Sequence, residues 1–243
     1  QFITENDYKI ANSLLNNAGQ PAPLVDTDIE GEPRSLTPDL GADEFVPPGD
    51  DAALDTVFSP HRPFAAGVQP VVVVLRNNGN DALQNTTIGW EINGTAQPAV
   101  NWTGNLASSD TARVQLGTMT VSAGTVYTLR AWSFNPNGGA DPTPLNDTAS
   151  LYKLRAGLSG VYTIGGVSPD FVTFNEAAIA LRDGGVVGTV TFNVRNGIYN
   201  EQLRLGPITG VDSMQTVTFQ SESGDSSQVS LTFDANSYES TYT

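Results

Sequence analysis

The stretch Thr87–Asn93, with the sequence TIGWEIN, decides the fold class. Ile88, Trp90 and Ile92 alternate there with small or polar residues. A period of two places the three apolar side chains on one face of a β-strand, whose other face meets water. Because the segment Thr189–Gly197, TVTFNVRNG, alternates in the same way and helix signals are scarce, the sequence predicts an all-β protein.

A different pattern occurs in Pro70–Gly79, PVVVVLRNNG, where residues 71–75 are apolar without interruption. An unbroken apolar run is typical of a strand that is covered on both faces. The asparagines and the glycine that follow favour a turn, since they tolerate left-handed backbone conformations. We therefore expect a fully buried strand that ends in a tight turn.

One segment is predicted to be helical, namely SPDFVTFNEAAIALRDGG at residues 168–185. Thr173 and Glu176 have the spacing of a capping box, and the apolar residues that follow recur at helical intervals. Gly184 can end the helix in a left-handed conformation. The sequence thus predicts one short capping helix near 174–182.

The chain divides into three blocks. Residues 1–62 are irregular and rich in Pro and Asp, residues 63–157 contain five to seven strand candidates typical of a β-sandwich, and residues 158–243 begin with the helix. In the last block, apolar pairs recur at intervals of roughly 12 to 14 residues, which predicts stacked coils that bury their inner faces against each other. These pairs are Val190/Phe192, Leu203/Leu205, Val217/Phe219 and Val229/Leu231.

Composition excludes several classes of function. The 243 residues include 26 acidic and 11 basic side chains, which gives a net charge of −15. A nucleic-acid-binding protein needs clustered basic residues, and a membrane-spanning helix needs about 20 consecutive apolar residues, so we expect neither nucleic-acid binding nor membrane insertion. With no cysteine, the chain has no thiol nucleophile and no Cys-based zinc site. The last residues, LTFDANSYESTYT at 231–243, are strand-like without closure, so we expect a segment of a longer polypeptide.

Residues 14–45, LLNNAGQPAPLVDTDIEGEPRSLTPDLGADEF, resemble the segment that closes right-handed parallel β-helix domains in secreted proteins of the Bacteroidetes group. The shared elements are an Asn-Ala-Gly coil, an acidic turn from Asp26 to Arg34 and the tail PDLGADEF. Glu30 departs from the resemblance, because an Asp-Gly turn is usual there.

The other two blocks have resemblances of their own. The segments VVLRNNGNDALQN, WEING and SFNPNGGADPTPLNDT are similar to the Ig-like, CARDB-type adhesion modules of bacterial surface proteins. The segments TFNEAAIAL and GTVTFNVRNGIYNEQLRL resemble the opening of a pectate-lyase-like β-helix. The resemblance implies an Ig-like β-sandwich at 63–157, flanked by the end of one β-helix and the start of another, as in a repeat segment of a large extracellular adhesin.

Two acidic segments are candidate calcium sites. Asp26, Asp28 and Glu30 alternate within a short stretch, and carboxylate oxygens are the ligands that Ca²⁺ prefers. The alternative is an acidic turn whose carboxylates accept nearby backbone N–H groups. The second candidate is the loop PNGGADPTPLND, residues 136–147, which contributes Asp141 and Asp147 together with Asn137 and Asn146. By contrast, Asp43, Glu44, Asp50 and Asp51 are expected to be plain surface charge.

Catalysis is not expected within these residues. His61, the one histidine, lies between two prolines, away from any nucleophile pattern. A polysaccharide hydrolase would need two carboxylates held across a sugar, and the β-helix pieces are too short to build such a face. We therefore predict that the chain is not an enzyme.

Two further features concern glycans. Trp102, in PAVNWTGNL, is a candidate platform for stacking on a sugar ring, whereas Trp90 is expected in the core. Four Asp-Ser/Thr-apolar triplets match the O-glycosylation pattern of the surface proteins that the chain resembles. The residues concerned are Thr56, Thr111, Thr148 and Ser213.

Together these observations predict a structural and adhesive repeat segment of a large bacterial cell-surface or filament protein. It would act outside the cell as a rigid spacer and contact neighbouring repeats, copies of itself or surface glycans. The alternatives are a non-catalytic accessory region of a secreted polysaccharide lyase or hydrolase, and a carbohydrate-binding module. The sequence on either side would discriminate between the adhesin and the enzyme.

Overall fold

The computed structural model describes residues 2–4, 7–10, 15–22, 24–45 and 48–233, so the strand-like residues 234–243 lie outside the described part. The chain divides into two compact units, the first comprising 1–59, 70–117 and 128–151 and the second 60–69, 118–127 and 152–243.

Within the described residues the fold is all-β with one α-helix, as predicted. The strands are β1 (Phe2–Thr4), β2 (Asp7–Ile10), β3 (Ala52–Ser59), β4 (Gly67–Asn77), β5 (Leu83–Ile92), β6 (Thr95–Leu106), β7 (Thr111–Val121), β8 (Tyr127–Phe134), β9 (Thr148–Leu154), β10 (Leu158–Ile164), β11 (Val186–Val194), β12 (Gly197–Asn200), β13 (Val217–Ser221) and β14 (Val229–Thr232); the helix is α1 (Phe174–Gly184).

Strands β3 to β9 form the predicted Ig-like β-sandwich, but it begins before the predicted start at residue 63, because β3 comes from the block 1–62 that was predicted to be irregular. One sheet has the order β3-β4-β7 and the other the order β6-β5-β8-β9, so strands adjacent in sequence often lie in different sheets. Ile88 and Trp90 are buried, as the alternation in β5 predicts, and Trp90 Nε1 donates a hydrogen bond of 2.9 Å to the Pro98 carbonyl. The indole thus fills the core while its polar atom is satisfied.

Strand β4 differs from the prediction of a strand covered on both faces. Val71, Val73 and Leu75 are fully buried, whereas Val72 and Val74 are only half-buried. An antiparallel sandwich sheet has one inner face, so even a continuous valine run alternates in burial there.

The second unit contains parallel strands stacked as a coil. Strand β11 pairs in parallel with β10 and β13, and β12 pairs in parallel with β14. Phe192 lies opposite Phe219 in this ladder, with ring centroids 4.7 Å apart. Their register makes this coil 27 residues long, about twice the predicted interval. Of the predicted pairs, Val190/Phe192 and Val217/Phe219 share this ladder and Val229/Leu231 lies on β14, but Leu203/Leu205 lies on no strand.

Helix α1 packs its buried face on this coil. Thr173 is the N-cap, with its side-chain oxygen accepting the Glu176 N–H at 3.1 Å, as predicted. The residue with positive φ at the C-terminus is Gly185, with φ at 71°, rather than the predicted Gly184, since the helix ends two residues later than predicted. No helix of the described residues is long and apolar enough to cross a membrane.

The N-terminal block is held by turns. Strands β1 and β2 pair antiparallel, and an isolated antiparallel bridge joins Thr27 to Pro33. The described residues of 1–62 contain no parallel ladder, so the closing β-helix coil stays a prediction for this block.

Candidate cation site

Asp51 lies at the start of β3, at one end of the sandwich. Its backbone carbonyl accepts the Asn78 N–H at 2.9 Å, and its side chain is fully buried. The prediction that Asp51 and Asp43 are surface charge is wrong, because both are buried, at 0% and 2% exposure. The burial of Asp51 follows from packing of the chain before β3 against the β4–β5 turn.

Gly79 makes that packing possible. A Cβ atom at Gly79 would lie 2.8 Å from the Asp51 backbone nitrogen, closer than real side chains approach. The residue before it, Asn78, donates from Nδ2 to Asp51 Oδ2 at 3.2 Å. The turn that the sequence predicts after β4 therefore positions a carboxylate from a distant part of the chain.

The β8–β9 loop, residues 135–147, supplies the other acidic groups. Asn137 holds the loop in place: its Oδ1 accepts the Gln84 N–H at 2.7 Å, and its Nδ2 donates to the Ala82 carbonyl and to the Asp50 carboxylate. Asn137 thus positions the loop, and both polar atoms of its side-chain amide already form hydrogen bonds.

Asp141 is half-buried and anchored by backbone donors. Its Oδ2 accepts the Ala52 N–H at 2.9 Å, and its Oδ1 accepts the Thr143 N–H at 2.9 Å. Because Ala52 follows Asp51 directly, these bonds draw the loop towards the start of β3.

Asp147 stands out within the site. It is 8% exposed, and its Oδ1 is buried without a hydrogen-bond partner among the described residues. Its backbone is fixed, since the carbonyl accepts the Ser133 N–H at 3.1 Å. An ionised carboxylate without donors is costly to bury, so a cation is the natural partner for this side chain.

Asp51, Asp141 and Asp147 converge. One carboxylate oxygen from each lies within 4.8 Å of the others. Ca²⁺ binds oxygen at about 2.3–2.6 Å, so two ligands of one ion are at most roughly 5 Å apart. The three side chains therefore have the spacing of ligands to a single metal ion.

The electrostatics of the cluster follow from its burial and from the closeness of its three carboxylates. Burial, with smaller contributions from Asp141 and Asp51, raises the pKa of Asp147 to about 7. Burial also raises the pKa of Asp51, although the amides of Asn146 and Asn78 oppose this. A bound divalent cation would reverse both effects by favouring the ionised carboxylates.

The first predicted calcium site has a different structure. Asp28 Oδ1 accepts the N–H groups of Glu30 and Glu32 at 2.9 and 2.8 Å, and Oδ2 accepts that of Glu44 at 3.1 Å. These backbone bonds lower the pKa of Asp28. Among the described residues Asp28 does not form a metal-type group with Asp26 and Glu30, and its geometry is that of the alternative, a carboxylate that organises a turn.

The remaining candidates lie on the surface or at an edge. Trp102 is half-buried on β6, and its ring lies against Gly104, while His61 is exposed. The four predicted glycosylation residues are all exposed: Thr56, Thr111, Thr148 and Ser213. None of these residues belongs to the acidic cluster.

Asp51 is the member of the acidic cluster that sequence reasoning missed. It is separated from Asp147 by almost a hundred positions. Hydrogen bonds from the Ala52 and Leu54 N–H groups to the β8–β9 loop bring it there. The available signal was the apolar run AAL directly after it, which places Asp51 at the buried start of a strand rather than in a solvated loop.

Comparison with known proteins gives a limited result. No known family matches the chain, and no curated protein matches it. Among solved structures it is similar to the CARDB domain of the PF1109 protein from Pyrococcus furiosus, whose crystal structure is described as a complex with di-metal ions. That similarity is at 18% identity with a TM-score of 0.36, covering 45% of this chain and 90% of that domain. The solution structure of the same domain matches at 18% identity and a TM-score of 0.34, covering 43% and 93%.

Proposed function

We propose that this chain is a non-catalytic scaffold segment of an extracellular bacterial surface protein, and that its β-sandwich is fastened by one Ca²⁺ ion. Asp51, Asp141 and Asp147 bind the ion. The segment spans distance between its neighbours in the parent protein and presents its faces to copies of itself or to surface glycans.

The observation that carries the scaffold proposal is the in-register stacking of the coil. Val190 pairs with Val217 and Phe192 with Phe219, so successive coils place equivalent side chains above each other. Such an architecture extends by adding coils, each supported by its neighbour, and is suited to long structural arrays.

The buried cluster favours cation binding over catalysis. A sugar-cleaving pair of carboxylates must contact the substrate, but Asp51 is fully buried and Asp147 is nearly so. Ca²⁺ is the favoured ion because every side chain in the cluster offers hard oxygen ligands and none offers sulfur or imidazole.

Isothermal titration of Ca²⁺ into chelator-treated protein tests the cation site. We expect one ion per chain, with binding lost in Asp147→Ala. The matched control is Asp26→Asn, which removes an exposed carboxylate from the N-terminal turn and should bind as the original does. Equal binding by all three proteins would contradict the site.

Two assays test the scaffold role. In single-molecule stretching, we expect the force that unfolds the sandwich to rise when Ca²⁺ is added, because the ion joins the start of β3 to the β8–β9 loop. In a reducing-end assay on polysaccharides we expect no turnover. Cleavage that disappears in Asp147→Asn would overturn the non-catalytic proposal.

A further inference from the structure

Asn146 lies inside the acidic cluster, and in the described part of the chain its side chain forms hydrogen bonds through Nδ2 alone. Its Nδ2 donates to both oxygens of Asp51, at 3.0 and 3.2 Å. Its Oδ1 is buried and has no hydrogen-bond partner among the described residues. Buried hydrogen-bond acceptors in proteins normally have a donor. Within the part of the chain that the structure describes, Asn146 Oδ1 has none, and it lies beside a group of buried carboxylates.

We propose that Asn146 is a fourth ligand of the cation, bound through its buried Oδ1. This inference rests on the Ca²⁺ site proposed above. When the ion binds, the side-chain amide turns over, so that Oδ1 binds the cation and Nδ2 moves away from Asp51.

The backbone hydrogen bonds of Asn146 can stay in place while the side-chain amide turns over. Its carbonyl accepts the Leu54 N–H at 3.1 Å, and its own N–H donates to the Thr143 carbonyl at 3.3 Å. Only the terminal amide has to rotate. After rotation Oδ1 would lie about 3 Å from Asp51 oxygens, a repulsive arrangement without a cation but an ordinary spacing for two ligands of one Ca²⁺ ion.

The ligand count also favours a fourth protein oxygen. Ca²⁺ takes six to eight oxygen ligands. Asp141 already accepts a backbone N–H on each oxygen, and Asp51 Oδ2 accepts the Asn78 amide. An amide oxygen adds a ligand without adding another negative charge to a buried cluster of three carboxylates.

Asn78 provides an internal reference. It too donates to Asp51 from Nδ2, but its backbone and side chain belong to the β4–β5 turn. The proposal requires the amide of Asn146 to change on cation binding while that of Asn78 keeps its bond to Asp51.

Nuclear magnetic resonance of the side-chain amides tests this directly. The Asn146 signals are assigned by their loss in Asn146→Asp. On saturation with Ca²⁺, we expect the Asn146 Cγ and Nδ2 resonances to shift, because Oδ1 binds the ion and Nδ2 leaves Asp51, while the Nδ2 hydrogens of Asn78 keep their protection from exchange. A protein that binds Ca²⁺ with the Asn146 amide unchanged overturns the ligand role and leaves the three-carboxylate site intact.

Two variants measure the same role by affinity. Asn146→Ala removes donor and ligand, and should weaken Ca²⁺ binding roughly ten- to hundredfold. Asn146→Asp keeps an oxygen and adds charge, so it should tighten binding while lowering the unfolding temperature in chelator. Binding of unchanged affinity in Asn146→Ala would refute the inference alone, whereas no Ca²⁺ binding by the original protein would refute the proposed site as well.

Discussion

At the scale of single residues, Asp147 shows the strongest conflict between burial and charge. Its side chain is nearly inaccessible, its Oδ1 has no hydrogen-bond donor in the part of the chain that the structure describes, and two other carboxylates lie beside it. In the folded protein without a cation, protonation is the remaining way to relieve the conflict, which is why its pKa rises to about 7.

The stability of the chelator-treated protein should therefore depend on pH. In the unfolded chain an Asp has a pKa of about 3.9, whereas the pKa of Asp147 in the folded protein is about 7. Between these two pH values Asp147 is protonated in the folded state and ionised in the unfolded state. Stability then falls as the pH rises through this window. Thermal unfolding in chelator at pH 5 and pH 8 should show a lower midpoint at pH 8. Asp147→Asn should lose most of this difference, and an equally strong pH dependence in that variant would assign it to other groups.

Gly79 offers a second test at this scale. Gly79→Ala forces a Cβ against the backbone of the chain before β3, and overpacking of this kind typically costs about 1–3 kcal/mol. We expect chemical denaturation to show this loss together with weaker Ca²⁺ binding, because Asp51 is displaced. Gly206→Ala is the control, since nothing lies within 4 Å of a Cβ there. A Gly79→Ala protein as stable as the control would show that the packing is not tight.

At the scale of elements, the free N–H groups at the N-terminus of α1 donate hydrogen bonds to two different side chains. Besides the Thr173 cap, Glu201 accepts the N–H groups of Phe174 and Asn175, each at 2.9 Å. A carboxylate that accepts two N–H groups at a helix N-terminus also interacts favourably with the helix dipole.

Replacing Glu201 should accordingly destabilise the second unit. We expect Glu201→Ala to cost roughly 1.5–3 kcal/mol, the typical value for a hydrogen bond to a charged group. Glu222→Ala breaks only the exposed ion pair with Arg195 at 3.3 Å, and should cost less than about 1 kcal/mol. Denaturant unfolding of the two variants measures both values, and equal losses would contradict the capping role of Glu201.

Secondary-structure elements could be predicted from the sequence more fully than the contacts between residues far apart in the chain. Alternation correctly places Ile88, Trp90 and Phe192 in the core, and the Thr173 cap follows from local sequence, because each depends on neighbours within a few residues. The loop that contributes Asp141 and Asp147 could be found from its composition. Asp51 and Glu201 could not be found, since their roles arise from hydrogen bonds over long separations, which periodicity does not encode.

At the scale of the whole molecule, the net charge of −15 sets a background for every cation effect. Exposed like charges repel, and monovalent salt screens them within a Debye length of about 8 Å at physiological ionic strength. A site-bound ion acts differently, because it stabilises the folded state by about 2.7 kcal/mol when its concentration is a hundred times its Kd.

Salt and calcium should therefore be separable in one experiment. We expect NaCl to raise the unfolding temperature of the original protein and of Asp147→Asn by the same amount. Millimolar Ca²⁺ in high NaCl should add a further increase in the original protein only. If Ca²⁺ stabilised both proteins equally, its effect would be general screening.

The connection between β12 and β13 has a consequence for how the chain tolerates change in length. Residues 201–216 contain no strand, while the ladder on either side is fixed by Val190 opposite Val217 and Phe192 opposite Phe219. Residues inserted in the exposed stretch 204–207 would lengthen a surface loop without moving the aromatic stack, whereas Ile208 packs against the core and the Thr209 carbonyl accepts the Val186 N–H. A single residue inserted inside β13 would instead turn every following side chain of that strand to the opposite face. Variants of different length should thus accumulate in the loop and be excluded from the strand.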